Sequence, residues 1–142
     1  MIFFIVVLII ALDRLTKLIV TKQLALNQTV PVIKGVFHFT LVQNKGAAFG
    51  ILKNQLPLFI VTSLFAIFLI YFELKNTKHS RGYSVSLSLI LAGALGNLID
   101  RLFLGYVIDF LDFRIWPVFN VADIAITIGA ILLGYTILFK KV

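Results

Sequence analysis

Apolar residues fall in four long runs, separated by two loops of unequal length and one short basic hinge. Residues 54–72 hold no charge over 19 positions, residues 82–99 none over 18, and residues 119–139 only Asp123 over 21. A helix that crosses the hydrocarbon core of a bilayer needs about 20 mostly apolar residues, so each run predicts a span. The first run, residues 2–20, is apolar through Leu12 and then meets Asp13, Arg14 and Lys17. Asp13 and Lys17 are spaced i,i+4, share a helix face and can neutralise each other. Charges inside a span face the bundle interior or the interface. No Lys or Arg precedes this run and no small-x-small cleavage pattern follows it, which predicts a retained span rather than a signal peptide.

The loops differ in character. In the first, residues 21–53, Phe37, Phe39 and Leu41 alternate with His38, Thr40 and Val42, the period of a strand. Gly35 and the run N-K-G-A-A-F-G at 44–50 supply turns. A small sheet is expected over about residues 30–52, its Phe face toward the lipid headgroups. The second loop, residues 103–118, carries Asp109, Asp112 and Arg114 among Phe110, Phe113 and Trp116, which suits a short interfacial segment with aromatic anchors. The expected fold is mainly α and integral to the membrane. It is a single domain over residues 1–142, with four transmembrane helices at about 2–20, 54–72, 82–102 and 119–139, the small β-sheet in the first extracytoplasmic loop and the interfacial segment in the second.

Composition supports a lipid environment. The chain is 61% apolar and 13% charged, with a mean hydropathy of +1.06; a soluble domain is about half apolar and a quarter charged. A fold of 142 residues has too much surface to hide so much apolar side chain from water. The absence of Cys excludes disulfides and thiolate chemistry, and His38 and His79 alone give little for a metal site. No metal and no cofactor are expected. The net charge of +7 would suggest nucleic acid in a soluble protein. Here basic residues flank spans and face headgroups, so membrane lipid is the expected partner and nucleic acid is not. Lys75, Lys78, Arg81, Lys140 and Lys141 lie at one face, and Lys22, Lys34, Lys45, Lys53 and Arg114 at the other. The compact hinge at 73–82 is the denser, which favours cytoplasmic termini.

The acids are few and carry the candidate chemistry. Gly93, Asn97, Asp100 and Arg101 fall on one face of the third span. Gly93 and Asn97 fit helix packing and substrate contact equally, and Asp100 with Arg101 reads as an ion pair at the helix end. Asn120 and Asp123 have the spacing of a helix capping box. Asp109 and Asp112, taken singly, read as solvated loop carboxylates. Taken together the acids suggest more. A loop folded back over the start of the last helix would bring Asp109 beside Asp123. On a helical turn Asp112 could face Asp123 as well. Two adjacent carboxylates share one proton, so one can take a proton from water while the other donates to a carbonyl oxygen, as in aspartic proteases. A proton-coupled transporter would instead place acids near span centres and show an inverted repeat, which this sequence lacks. A structural membrane subunit gives no reason for acids at both Asp109 and Asp123.

Five segments, in order, carry a resemblance: D-R-L-T-K at 13–17, N-K-G-A-A-F-G at 44–50, G-A-L-G-N-L-I-D-R at 93–101, V-I-D-F at 107–110 and F-N-V-A-D at 119–123. The chain resembles the lipoprotein signal peptidases, the signal peptidase II family, almost end to end. The resemblance implies an intramembrane aspartic endopeptidase with Asp109 and Asp123 as the catalytic pair. It implies that Asn44, Gly46, Asn97, Arg101, Asn120 and Ala122 bind substrate or brace its channel, and that Asp13, Lys17 and Asp100 are structural. The implied substrate is a diacylated prolipoprotein, cut just before its lipid-bearing Cys. The implied setting is the bacterial cytoplasmic (inner) membrane, with the active site at the outer face, sensitivity to globomycin and a monomeric enzyme.

Overall fold

A computed structural model describes residues 1–46, 55–76 and 79–139. The elements are α1 (Ile2–Gln23), β1 (Thr29–Ile33), β2 (Phe37–Asn44), α2 (Leu56–Asn76), α3 (Arg81–Leu104), β3 (Val107–Asp112) and α4 (Val121–Phe139). The expected sheet reaches Asn44; its remainder at 47–52, with part of the N-K-G-A-A-F-G run, lies outside the described residues.

Local chemistry sets the helix ends. Ser80 caps α3 by accepting from the Tyr83 N–H, and Gly105 ends that helix in the left-handed region at φ 79°, its N–H donating to the Arg101 carbonyl. A residue with a Cβ is strained there, and glycine is not. The chain then needs only Tyr106 before β3 begins. Ser86, Ser88 and Thr136 hydrogen-bond to carbonyls one turn back in their own helices. Their hydroxyls therefore need no water within an apolar surround.

Helix α3 is the hub, packed against α1, α2 and α4. Small residues permit the closest approach. A Cβ on Gly93 would overlap the Ala122 carbonyl oxygen, and one on Gly96 would stand 3.0 Å from Asp13 Oδ2 and 3.2 Å from the Ala122 Cβ. Gly93 is thus a helix-packing residue. The outward surfaces are apolar: Phe3 and Phe103 are each 80% exposed, and α2 exposes Phe65, Phe68 and Phe72. Among the described residues three helices, α2 through Lys75, α3 and α4, are long and apolar enough to cross a membrane. Helix α1 has 22 residues but carries Asp13 and Lys17, which it buries.

The sheet differs from expectation in one respect. It has three antiparallel strands in the order β1-β2-β3, and the third comes from the second loop rather than lying there as an interfacial segment. Val42 pairs with Asp109, Gln43 with Ile108 and Asn44 with Val107, with a bulge in β2 between Phe39 and Val42. The residue before Asn120 closes the far edge: the Phe110 and Leu111 N–H groups donate to the Phe119 carbonyl, and the Phe119 N–H donates to Leu111. The second loop therefore folds back along β3 immediately before α4. The Phe face of β2 is half-buried, with Phe39 against Phe110 and Phe37 against Phe113.

Candidate active site

Strand β3 ends its pairing with β2 beside the N-terminus of α4, and this places Asp109 and Asp123 in one cavity. The cavity is about 200 Å³ and is also lined by Asn44, Gly46, Asn97, Arg101, Val107, Trp116, Pro117, Val118 and Phe119. Asp109 is buried in the strand. Asp123 sits in the first turn of α4.

Every carboxylate oxygen of the pair accepts an N–H. The Asn120 Nδ2 donates to Asp109 Oδ1 at 2.7 Å and the Asn44 Nδ2 to Asp109 Oδ2 at 2.9 Å. The Asn97 Nδ2 donates to Asp123 Oδ1 at 2.8 Å and the Asn120 backbone N–H to Asp123 Oδ2 at 3.2 Å. Each asparagine is turned this way because its amide oxygen is already taken. Asn44 Oδ1 accepts from the Gly46 N–H, Asn97 Oδ1 from the Asn120 Nδ2, and Asn120 Oδ1 from the Asp123 N–H. The capping box at the start of α4 is therefore present, and the same Asn120 also serves Asp109. Cap and site reading are two uses of one geometry.

Burial, and then the neighbouring Asp123 carboxylate, push the Asp109 carboxyl up to about 7, against the hydrogen bonds from Asn44 and Asn120 and the positive charge of Lys17. A group with that value is about half-protonated at neutral pH. Such a pair can give and take a proton.

Asp112 stands apart. It lies three positions along a regular strand from Asp109, so the two side chains leave opposite faces. The helical turn that would aim both at Asp123 does not form. Nor is Asp112 a solvated carboxylate: it is 4% exposed and accepts from the Thr40 hydroxyl at 2.7 Å, the Arg114 N–H at 2.8 Å and the Arg114 guanidinium at 3.0 Å. Burial raises its carboxyl, and these three donors outweigh burial and hold it below the usual range.

A second buried polar cluster adjoins the first. Lys17 Nζ is 2.9 Å from Asp13 Oδ2 and 2.7 Å from Asp100 Oδ2; the Arg14 guanidinium is 2.9 Å from Asp13 and 2.6 Å from Asp100. Asp13 also accepts from the Ala122 N–H and Asp100 from the Ile108 N–H. The cluster ties α1 and α3 to the start of α4 and to β3. Asp13 and Lys17 pair as their spacing predicts, whereas Asp100 does not pair with Arg101. The Arg101 guanidinium lies 5.0 Å from the centre of the Phe59 ring and lines the cavity. Ala122 and Asn120 are fully buried and brace the cavity rather than lining it. The sequence reading missed Arg14 as a member of the cluster, and Phe119 as a cavity wall. The adjacency of Arg14 to Asp13 was the one available signal.

A helical membrane-type fold with Asp109 and Asp123 facing one cavity fits the class of membrane-embedded enzymes, and comparison with known proteins gives the family. The model described as signal peptidase (SPase) II matches residues 5–139. The chain belongs to the signal peptidase II family and is accordingly a multi-pass bacterial membrane peptidase. It is 49% identical over 133 residues to the lipoprotein signal peptidase of Halothermothrix orenii, covering 94% of this chain and 92% of that one. It is 51% identical over 138 residues to that of Caldanaerobacter subterraneus subsp. tengcongensis, covering 96% and 94%. Two solved structures described as a bacterial membrane enzyme obtained by the in meso method superpose on it. Their TM-scores are 0.90 and 0.88 and their identities 33% and 34%, covering 99% of this chain and 93% and 94% of theirs.

Proposed function

We propose that this chain removes signal peptides from diacylglyceryl-modified prolipoproteins by aspartyl chemistry, cutting just before the lipidated Cys. The observation that carries the reading is the cavity in which Asp109 and Asp123, with no ion pair to either among the described residues, have all four oxygens held by N–H donors. One carboxylate takes a proton from water as the water oxygen bonds to the scissile carbonyl carbon. The other, protonated, donates to the carbonyl oxygen. Collapse of the tetrahedral intermediate breaks the C–N bond and returns a proton to the leaving amine. Asn44, Gly46, Asn97 and Arg101 line the path of the peptide, and Asn120 and Ala122 brace it.

The same reading makes the whole chain one membrane-embedded domain and α1 the fourth span. At 1.5 Å per residue its 22 residues are about 33 Å long, enough for the hydrocarbon core, and Asp13, Arg14 and Lys17 turn inward onto α3 and α4. Both termini then lie in the cytoplasm and the site lies at the outer face of the inner membrane. There the acyl chains of the substrate remain in lipid while the peptide reaches the acids as a monomeric enzyme works on it. The test is incubation of the full chain in lipid nanodiscs with a diacylated prolipoprotein, followed by mass analysis of the product N-terminus. The expected product begins at the lipidated Cys, and an unlipidated precursor is spared because the acyl chains do the positioning. Equal cleavage of both precursors would sink the assignment.

A further inference from the structure

The cluster of Asp13, Arg14, Lys17 and Asp100 holds two acids and two cations, so its charges balance. An ammonium has three N–H groups. Asp13 and Asp100 take two of those on Lys17, which already satisfies a structural tie. The third points away from the cluster, to Asn97 Oδ1 at 3.4 Å. Asn97 is the residue whose Nδ2 donates to Asp123, and its oxygen also accepts from the Asn120 Nδ2 that serves Asp109. The side chain of Lys17 is 2% exposed, so its charge acts with little screening by water.

We infer that Lys17 is a positioning residue for the two aspartates: its third N–H fixes and polarises the Asn97 amide, and its charge sets the protonation of the pair from behind. The inference rests on the aspartyl reading above and gives the ammonium a task beyond holding α1 in place. With Asn97 Oδ1 bonded to a cation and to Asn120, only the Nδ2 side can face Asp123, and a polarised amide is a stronger donor. Lys17 opposes the rise of the Asp109 carboxyl. Among the described residues, the charged groups about the pair are Asp13, Arg14 and Lys17 from α1, Asp100 and Arg101 from α3, Lys45 between the cavity residues Asn44 and Gly46, and the two aspartates themselves.

The experiment uses the full chain in nanodiscs, a diacylated prolipoprotein peptide and the variants Lys17→Met, Lys17→Arg, Asp100→Asn and Lys17→Met/Asp100→Asn. Lys17→Met leaves two buried carboxylates to one Arg and can fail to fold. The double variant restores the balance of charge as Asp13 with Arg14, and it is compared with Asp100→Asn alone. Loss of a charged hydrogen-bond partner predicts a fall in kcat of roughly 10- to 100-fold with KM within about threefold. Removing a cation raises the pH at which carboxylates ionise, so the kcat/KM profile moves to higher pH by roughly half a unit or more. Lys17→Arg keeps the cation and keeps the native profile. A double variant matching Asp100→Asn in kcat and in pH profile would overturn the inference. So would an alkaline shift in Lys17→Arg as large as that of the neutral variants. Asp109→Asn in the same assay separates the two levels: if it still turns over, the aspartyl reading fails; if it is dead while the Lys17 variants match their controls, only the role of Lys17 fails.

Discussion

On one side of Asn97 lie Asp13, Arg14, Lys17 and Asp100; on the other lie Asp109 and Asp123. Asp13, Lys17, Asp100 and Asp109 are buried, Arg14 and Asp123 are half-buried, and both groups are tied to the start of α4. In the first, each acid faces two cations within 3 Å. In the second, among the described residues, the acids receive amide and backbone N–H donors. Opposite charges within 3 Å lock the side chains of the first cluster into one geometry. Neutral donors orient the carboxylates of the second; those to Asp109 favour its charged form, but burial and the neighbouring Asp123 outweigh them and leave Asp109 able to hold a proton near neutral pH. On the proposed aspartyl reading the second cluster moves a proton and the first holds the scaffold from which Lys17 reaches it, although both use aspartates.

The largest effect on stability is expected where balance is broken in the first cluster. Asp100→Asn leaves the buried Lys17 and the half-buried Arg14 to one carboxylate, and removing one partner of a buried pair costs about 3–5 kcal/mol. Thermal unfolding in detergent checks this, and an unchanged midpoint would show the cluster to be idle. Next comes Gly93→Ala, which must push α4 away from α3; overpacking of this kind costs about 1–3 kcal/mol and is read in the same assay.

The second cluster should respond with the opposite sign. Asp109 has its folded value raised to about 7 from 3.8, so between those values the folded state holds a proton that the unfolded state has lost. Stability therefore declines as pH rises through that window. Asp109→Asn removes this penalty. Its midpoint should exceed that of the native chain by about 2–8 °C at pH 8, with the difference vanishing below the ordinary carboxylate range. A variant less stable than the native chain at pH 8 would place Asp109 among the structural acids.

Asp112→Asn should matter least for turnover. It weakens acceptance from Thr40 and Arg114, costing about 1 kcal/mol of stability, and leaves the cavity untouched because Asp112 leaves the other face of β3. Near-complete loss of activity in a folded Asp112→Asn chain would mean that the wrong carboxylate had been paired with Asp123.

What could be read from the sequence was what depends on near neighbours. Four helices follow from four apolar runs, the Asp13–Lys17 pair from i,i+4 spacing, and the Asn120–Asp123 box from i,i+3. The readings that failed depend on partners far along the chain. Asp100 takes Arg14, 86 residues away, over adjacent Arg101. Asp112 takes Thr40, 72 residues away. Strand β3 was missed because V-I-D-F-L-D puts an acid on each face, so no amphipathic alternation marks it. It becomes a strand only because β2 offers an edge. Of the candidate site, acids in apolar surroundings pointed to Asp123 with Asp109 or Asp112, and the resemblance chose Asp109 and named Asn44, Asn97 and Asn120 as bracing or substrate-binding positions. That these three amides donate to the two carboxylates was not legible, because an amide orientation is set by contacts that only the fold creates.

The central claim is that Asp109 and Asp123 work as one unit, and the most direct measurement is turnover of a diacylated prolipoprotein by folded, membrane-inserted Asp109→Asn, Asp123→Asn and the double variant. Asn keeps the shape and one of the two acceptor oxygens but cannot share the proton. Each single change should lower kcat by about a thousandfold or more, and the double should be worse than either by less than about tenfold. Losses that multiply, or a folded Asp109→Asn enzyme that still turns over at the native rate, would contradict the account.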